Sequence, residues 1–319
     1  MTGQMPRPPD PVRMTGESSA ALGRPAGGTA ARLRQAPGAV GPFLAESQLN
    51  VAGVAIVALI LLLAVFGPLI APQNPDQINL LAVLQPPSVH HSFGTDNLGR
   101  DLFSRVLAGA WISLYVAAVI LLASVAIGTI LGIVSGLMGG LTDEIIMRTT
   151  DLFLAFPALI LAAAIAATLG PSLTHTMLAL STVFWPWYAR LVRGQVLSLR
   201  EREFILAARV AGASTSRIVF KHLLRNVFPL VIVQASLDVG YAILFTSSLS
   251  FLGLGAQPPT PEWGAMMTDA RSFLEDYWWY PTFPGLALAF TVVGFNLLGD
   301  GLRDWLDPRL RGSLRAGRW

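Results

Sequence analysis

The sequence predicts an all-α integral membrane protein with six transmembrane helices, and three observations predict it. Apolar residues fill 53% of the 319 positions and charged residues only 13%, against about 25% charge in an ordinary soluble domain. The apolar residues come in long blocks, as needed to cross about 30 Å of hydrocarbon with roughly 20 residues. The basic residues are segregated: 19 of the 22 lysines and arginines fall on one side of the alternating blocks and three on the other, as the positive-inside rule requires. The absence of cysteine excludes a disulfide framework, a thiol nucleophile and a Cys-based zinc site.

Residues 1–46 are rich in Pro, Gly, Ala and Arg without apolar periodicity, which predicts a disordered cytoplasmic tail. The first apolar block starts near Val51, too far from the N-terminus for a secretory signal, and runs to Ile70 before Pro72. This helix and an external loop make up 47–108. The second block covers about Val106 to Leu137. The stretch between Asp151 and Arg190 lacks Asp, Glu, Lys and Arg, and Gly170-Pro171-Ser172 divides it into a hairpin of spans three and four. Span five runs from about Val227 to Gly253 and span six from about Thr282 to Leu298. Both termini are expected in the cytoplasm and the loops at about 71–108 and 254–281 outside. The core of five helices is expected at 109–303 and a cytoplasmic tail at 304–319.

The connection between spans four and five, about 195–226, has its own helical pattern. Phe204, Ala207, Ala208 and Ala211 follow i, i+3, i+4, i+7 and share a face. Gly212 suits a left-handed helix terminus, and Ser214 can cap a second helix through Ile218, Leu223 and Leu224. Two short helices joined at Gly212 predict a knob whose small residues permit close approach by another surface. A helix lying on anionic headgroups is the competing reading. Lys221 is the one lysine in the chain, and no G-x-x-x-x-G-K-[ST] precedes it. The chain cannot cradle ATP phosphates itself, so an energy-supplying partner is expected.

These residues resemble a known family. The run from Phe204 to Ser214, with Ala207, Ala208 and Gly212 in register, is similar to the "EAA" loop of binding-protein-dependent ABC importer permeases; Leu206 stands where that loop usually has Glu, and Arg225 where a later Pro is common. His91-Ser-Phe-Gly-Thr-Asp-Asn-Leu-Gly-Arg-Asp101 resembles the external motif of the peptide/nickel permeases. Leu249 to Gly255, Gln257 to Gly264, and the run from Asn296 to Arg311 are similar to further segments of the second, C-type subunit. The resemblance spans about residues 45–312. It implies the ABC type I importer permease fold in a bacterial-type cell membrane, and no enzymatic role for this chain. It implies a heterodimer with a second permease, one or two ABC ATPase subunits carrying ATP and Mg, and an extracytoplasmic solute-binding protein. It also implies ATPase coupling through Glu203, Phe204, Ala207, Ala208, Arg209, Ala211, Gly212, Ala213 and Ser214. No cofactor and no metal are expected in the chain.

Other polar residues have two readings each. Asp96, Arg100 and Asp101 would contact the binding protein, or shape a turn with the acids as caps. Asp238 in span five and Asn296 near the end of span six are candidates for the translocation pathway; a hydrogen bond to a neighbouring helix is the plainer role for the acid. Asp143, Glu144, Arg148 and Asp151 mark the start of span three, where acids favour a helix N-terminus. Trp185 to Tyr188 and Tyr277 to Tyr280 suit interfacial aromatic belts. Di- or oligopeptide import is the expected function. The alternatives are nickel, haem or glutathione within the same framework, or an ion-coupled secondary transporter, against which the absence of an inverted repeat counts.

Overall fold

Proline, glycine and capping residues set where the apolar blocks begin, break and end. The computed structural model describes residues 47–306; the expected tail at 1–46 lies outside the described residues, as does the one at 304–319 except for 304–306, which continue the last helix. Among the described residues the extended regular structure is helical throughout. Helix α1 is Gln48–Ile70, started by Ser47, whose Oγ accepts the Leu49 amide hydrogen bond. Helix α2 is Leu102–Met138, with Asp101 as its N-cap. Helices α3, Gly140–Leu154, and α4, Ala158–Leu169, follow. Helix α5 is Leu173–Arg200, and α6 is Glu203–Val210. Helix α7 is Thr215–Phe251, with a π-type turn at Ile218–Leu223. Helix α8, Trp263–Ala270, precedes α9, Trp279–Leu306.

Four helices (α1, α2, α7 and α9) are long and apolar enough to cross a membrane, and α3 with α4 makes a fifth candidate if the bent pair is one span. The expected third span is therefore not one straight rod. Its two pieces meet at 91°. Pro157 disfavours helical geometry at Phe156 and, lacking an N–H, takes the N-cap position of α4. With 12 residues, α4 reaches about 18 Å, short of the hydrocarbon thickness. The α4–α5 hairpin turns at Gly170, φ +91°, as the Gly-Pro-Ser signal predicts.

Small residues set the closest helix pair. Gly128, Gly132 and Gly136 form a stripe on α2 against α5. A Cβ at Gly128 would stand 2.4 Å from the Tyr188 Cβ, and one at Gly132 would stand 2.6 Å from the Ala189 carbonyl oxygen. Membrane helices approach in this way where side chains vanish from the seam. Around that seam Val116, Ile120, Leu180, Phe184, Ile243 and Leu249 join α2, α5 and α7 in one apolar core. Helix α1 packs on α9 through Gly53 and Gly294 and leaves Leu59, Leu62, Val65, Phe66 and Leu69 exposed, an apolar surface suited to hydrocarbon.

Candidate functional site

The connection between α5 and α7 forms the expected knob, built locally by caps. Gly212 takes φ +77°. The Gly212 amide donates to the Arg209 carbonyl and the Ala213 amide to the Ala208 carbonyl, both at 2.9 Å, the paired bonds of a Schellman terminus. Ser214 then caps α7, its Oγ accepting from the Arg217 amide. Glu203, Phe204, Ala207, Arg209, Ala211, Gly212 and Ser214 are exposed; Ala208 and Ala213 are half-buried.

One side chain ties α6 to the protein. Ile205 is fully buried among Leu199, Ile218, Leu223 and Val227, while Val210 is 91% exposed. The periodicity that groups Phe204, Ala207, Ala208 and Ala211 thus marks mainly the open face rather than the anchoring one. An eight-residue helix with small residues needs only one large anchor, and Ile205 offers no period to detect. The π-type turn serves the same core: Ile218 and Leu223, five residues apart, are both buried.

Below the knob a charged belt fixes the end of α5. Arg193 donates from Nε and Nη2 to the two Asp143 oxygens at 2.6 Å each, a bidentate pair of the stronger kind. Ser135 of α2 bonds the same carboxylate, Arg190 pairs with Asp151, and Arg200 donates to the Gly136 carbonyl. Asp143 and Asp151, expected as solvated caps at the start of span three, instead bind α3 to α5.

Deeper in the helices, Tyr188 donates to Asp238 at 2.6 Å and Gln234 Nε2 donates to the other carboxylate oxygen at 3.0 Å. Asp238 is buried, and its partner is a neighbouring helix. Asn296 of α9 is half-buried and lies against Gly240 of α7. Trp185, Tyr188, Trp279 and Tyr280 are also buried. Only Trp187 and Trp278 of the two expected tryptophan–tyrosine belts remain well exposed, because helix contacts take up the rest.

At the opposite end, the turn at 91–101 folds inward. Asp96 pairs with Arg100 at 2.5 Å and accepts the Leu98 and Arg100 amides. Asp101 caps α2 through Ser104 and bonds the His91 Nδ1 at 2.9 Å. All three expected contact residues (Asp96, Arg100 and Asp101) are buried. Their charges are taken up in bracing the turn, Asp96 through the Arg100 side chain and amide and Asp101 as the cap of α2. Arg105 adds bonds to the Pro75 and Pro259 carbonyls, and Arg100 lies 3.8 Å from Asp269 of α8. Burial pushes the Asp269 carboxyl above its ordinary value and outweighs the pull of Arg100 and Arg105.

Glu262 escaped the sequence reading although its Pro-Glu-Trp-Gly context stood out. It is fully buried and accepts bonds from Ser247 Oγ, the Gly264 amide and the Ala265 amide at 2.9–3.0 Å. It caps α8 and ties it to α7. Trp263, also buried, donates to the Val106 carbonyl of α2 at 3.0 Å. Nothing in the linear pattern separates such a buried capping acid from a solvated one.

Residues 128–312 match the family described as binding-protein-dependent transport system inner membrane component, and residues 39–87 match the N-terminal TM domain of oligopeptide transport permease C. The chain is 49% identical to a probable D,D-dipeptide transport system permease protein of Escherichia coli over 85% of its own length and 91% of that protein's. It is 45% identical to a dipeptide transport system permease protein of Alkalihalophilus pseudofirmus, over 84% of this chain and 88% of that one. It is 43% identical to the nickel transport system permease protein of Escherichia coli, over 80% and 92%. With the helical body, the exposed knob and these matches in agreement, the chain belongs to the binding-protein-dependent transport system inner membrane components, as a C-type permease of the peptide/nickel group.

Proposed function

We propose that this chain is one half of the pore of an ATP-driven importer of di- and oligopeptides. It works beside a second permease subunit, one or two ATPases that hold ATP and Mg, and an extracytoplasmic solute-binding protein. The observation that carries the reading is the knob: a small-residue surface from Glu203 to Ser214, open on one side and held by Ile205 on the other. Such a surface admits a close-fitting partner, and the rigid belt at Asp143–Arg193 gives force applied there a route into α2, α3 and α5. The relatives named for dipeptide transport support the substrate class.

In this reading the chain crosses the membrane six times with both termini in the cytoplasm. The bent α3–α4 pair is the third crossing and α5 the fourth. The partition of lysine and arginine supports that orientation. Closure of the ATPases on ATP moves the knob, the helices part toward the outside, and peptide leaves the binding protein for the pore. Hydrolysis in the partners resets the inward-facing state, and this chain contributes no bond-making chemistry. Asp238 and Asn296 stand on adjacent helices, and an intramembrane acid usually faces protein or water. We assign both to the path opened when α5 and α7 separate.

The test is uptake by proteoliposomes containing the whole complex, with labelled dipeptide and nickel as rival substrates. ATP-dependent dipeptide uptake that requires the binding protein is expected. Uptake of nickel with no peptide transport would overturn the substrate assignment. Peptide transport by the permeases without ATPases would overturn the coupling.

A further inference from the structure

The first turns of α7 carry Arg217, Lys221 and Arg225, at i, i+4 and i+8, which places them on one face. All three are exposed, and none has a carboxylate within ion-pair distance among the described residues. Arg202 and Arg209 of the knob are likewise without an acid, whereas Arg148, Arg190, Arg193 and Arg200 each meet one. Phe220 and Phe228 flank the stripe and are 74% and 56% exposed. The opposite face, at Ile218, Leu223, Val227 and Val231, is buried in the knob's core. The helix is thus amphipathic in an unusual sense, with its outward side both cationic and aromatic.

We propose that this stripe binds the headgroups of anionic phospholipids. Three features favour lipid over a protein partner. The stripe stands at the polar end of a helix that continues into an apolar span, with Arg225 two residues before Val227. The stripe from Arg217 to Arg225 is about 12 Å long, so it leads from the hydrocarbon edge through the headgroup zone. Exposed aromatic rings next to cations match the boundary between acyl chains and phosphates, whereas the knob's own docking surface is built from small residues. The two readings of the basic connection therefore divide between its parts: α6 faces a protein, and the start of α7 faces the bilayer. The lipid would hold the N-terminal end of α7 at a fixed depth while the knob moves. This inference goes beyond the proposed function and does not depend on the substrate.

The test is lipid selectivity of the purified complex, measured by native mass spectrometry with phosphatidylglycerol against phosphatidylcholine. Each cation near an anionic surface gives roughly a fivefold preference. The triple variant Arg217→Gln/Lys221→Gln/Arg225→Gln is expected to lower the phosphatidylglycerol preference by at least about tenfold. Arg148→Gln, at an exposed arginine elsewhere, should leave it unchanged. Wild-type preference should also fall as salt is raised, a readout that stands even if the triple variant fails to fold. Equal preference in wild type and triple variant, or a salt-independent preference in the wild type, would overturn the proposal. Loss of the ATPases from the triple variant with lipid preference intact would overturn it in favour of a protein contact.

Discussion

Tyr188 and Asp238 show what a single polar bond does inside an apolar body. Removing the donor leaves a buried carboxylate short of a partner, which typically costs about 1–3 kcal/mol. Tyr188→Phe is therefore expected to lower the melting temperature of the complex, and Asp238→Asn, which keeps an acceptor for the phenol, to lower it less. Asp269 gives a pH effect with a definite sign. Its folded pKa is raised by burial, so its contribution to stability is fully present below the unfolded carboxylate value and is lost as pH rises through the raised value. Melting curves of wild type and Asp269→Asn should diverge across that window, with the wild type losing ground as pH increases. A constant difference at all pH values would contradict the assignment.

At the scale of elements, the knob and the glycine seam are the informative pieces. Ile205→Ala removes the one large anchor of α6, and core truncations of this kind typically cost about 2–5 kcal/mol. Amide exchange should rise over residues 203–214 and stay unchanged in α2 and α7, which would separate local release from global unfolding. Gly212→Val forces a branched side chain into a left-handed conformation at a penalty of roughly 1–2 kcal/mol. Peptide-driven ATP hydrolysis by the complex is expected to fall, with the spans still assembled. On α2, Gly132→Leu inserts four carbons where a single Cβ already collides with α5. Overpacking costs typically 1–3 kcal/mol or more, and reduced yield of folded protein in membranes is the expected outcome.

For the whole molecule, the orientation can be read from both sides because the chain has no cysteine. Ser214→Cys and Gln257→Cys place single thiols on exposed residues at the knob and in the loop before α8. An impermeant maleimide should label the first only from the cytoplasm and the second only from outside. Labelling of both from the same side would refute the alternating topology. The end that carries α8 is cross-braced by Trp263 to α2, Glu262 to α7 and Arg100 toward α8, and the end that carries the knob by Arg193 to α3. A body tied at both ends can transmit a push at one end to the other, which is what a coupled pore requires.

The membrane class, the positions of the long helices and the knob with its Gly212 terminus were legible in the linear chain. Hydropathy, charge segregation and capping chemistry act over a few residues, and neighbours in sequence supply them. The break at Pro157 was visible as a residue, but its 91° bend depends on where α4 must pack. A turn at Asp96 and Asp101 and a helix partner for Asp238 were among the readings open in the sequence, but the burial of that turn, the fully buried Glu262 and the choice of Tyr188 as the partner came only from tertiary structure. Each joins residues distant along the chain or sets a charge against a burial cost, and the side a polar group faces is decided by which helices close over it.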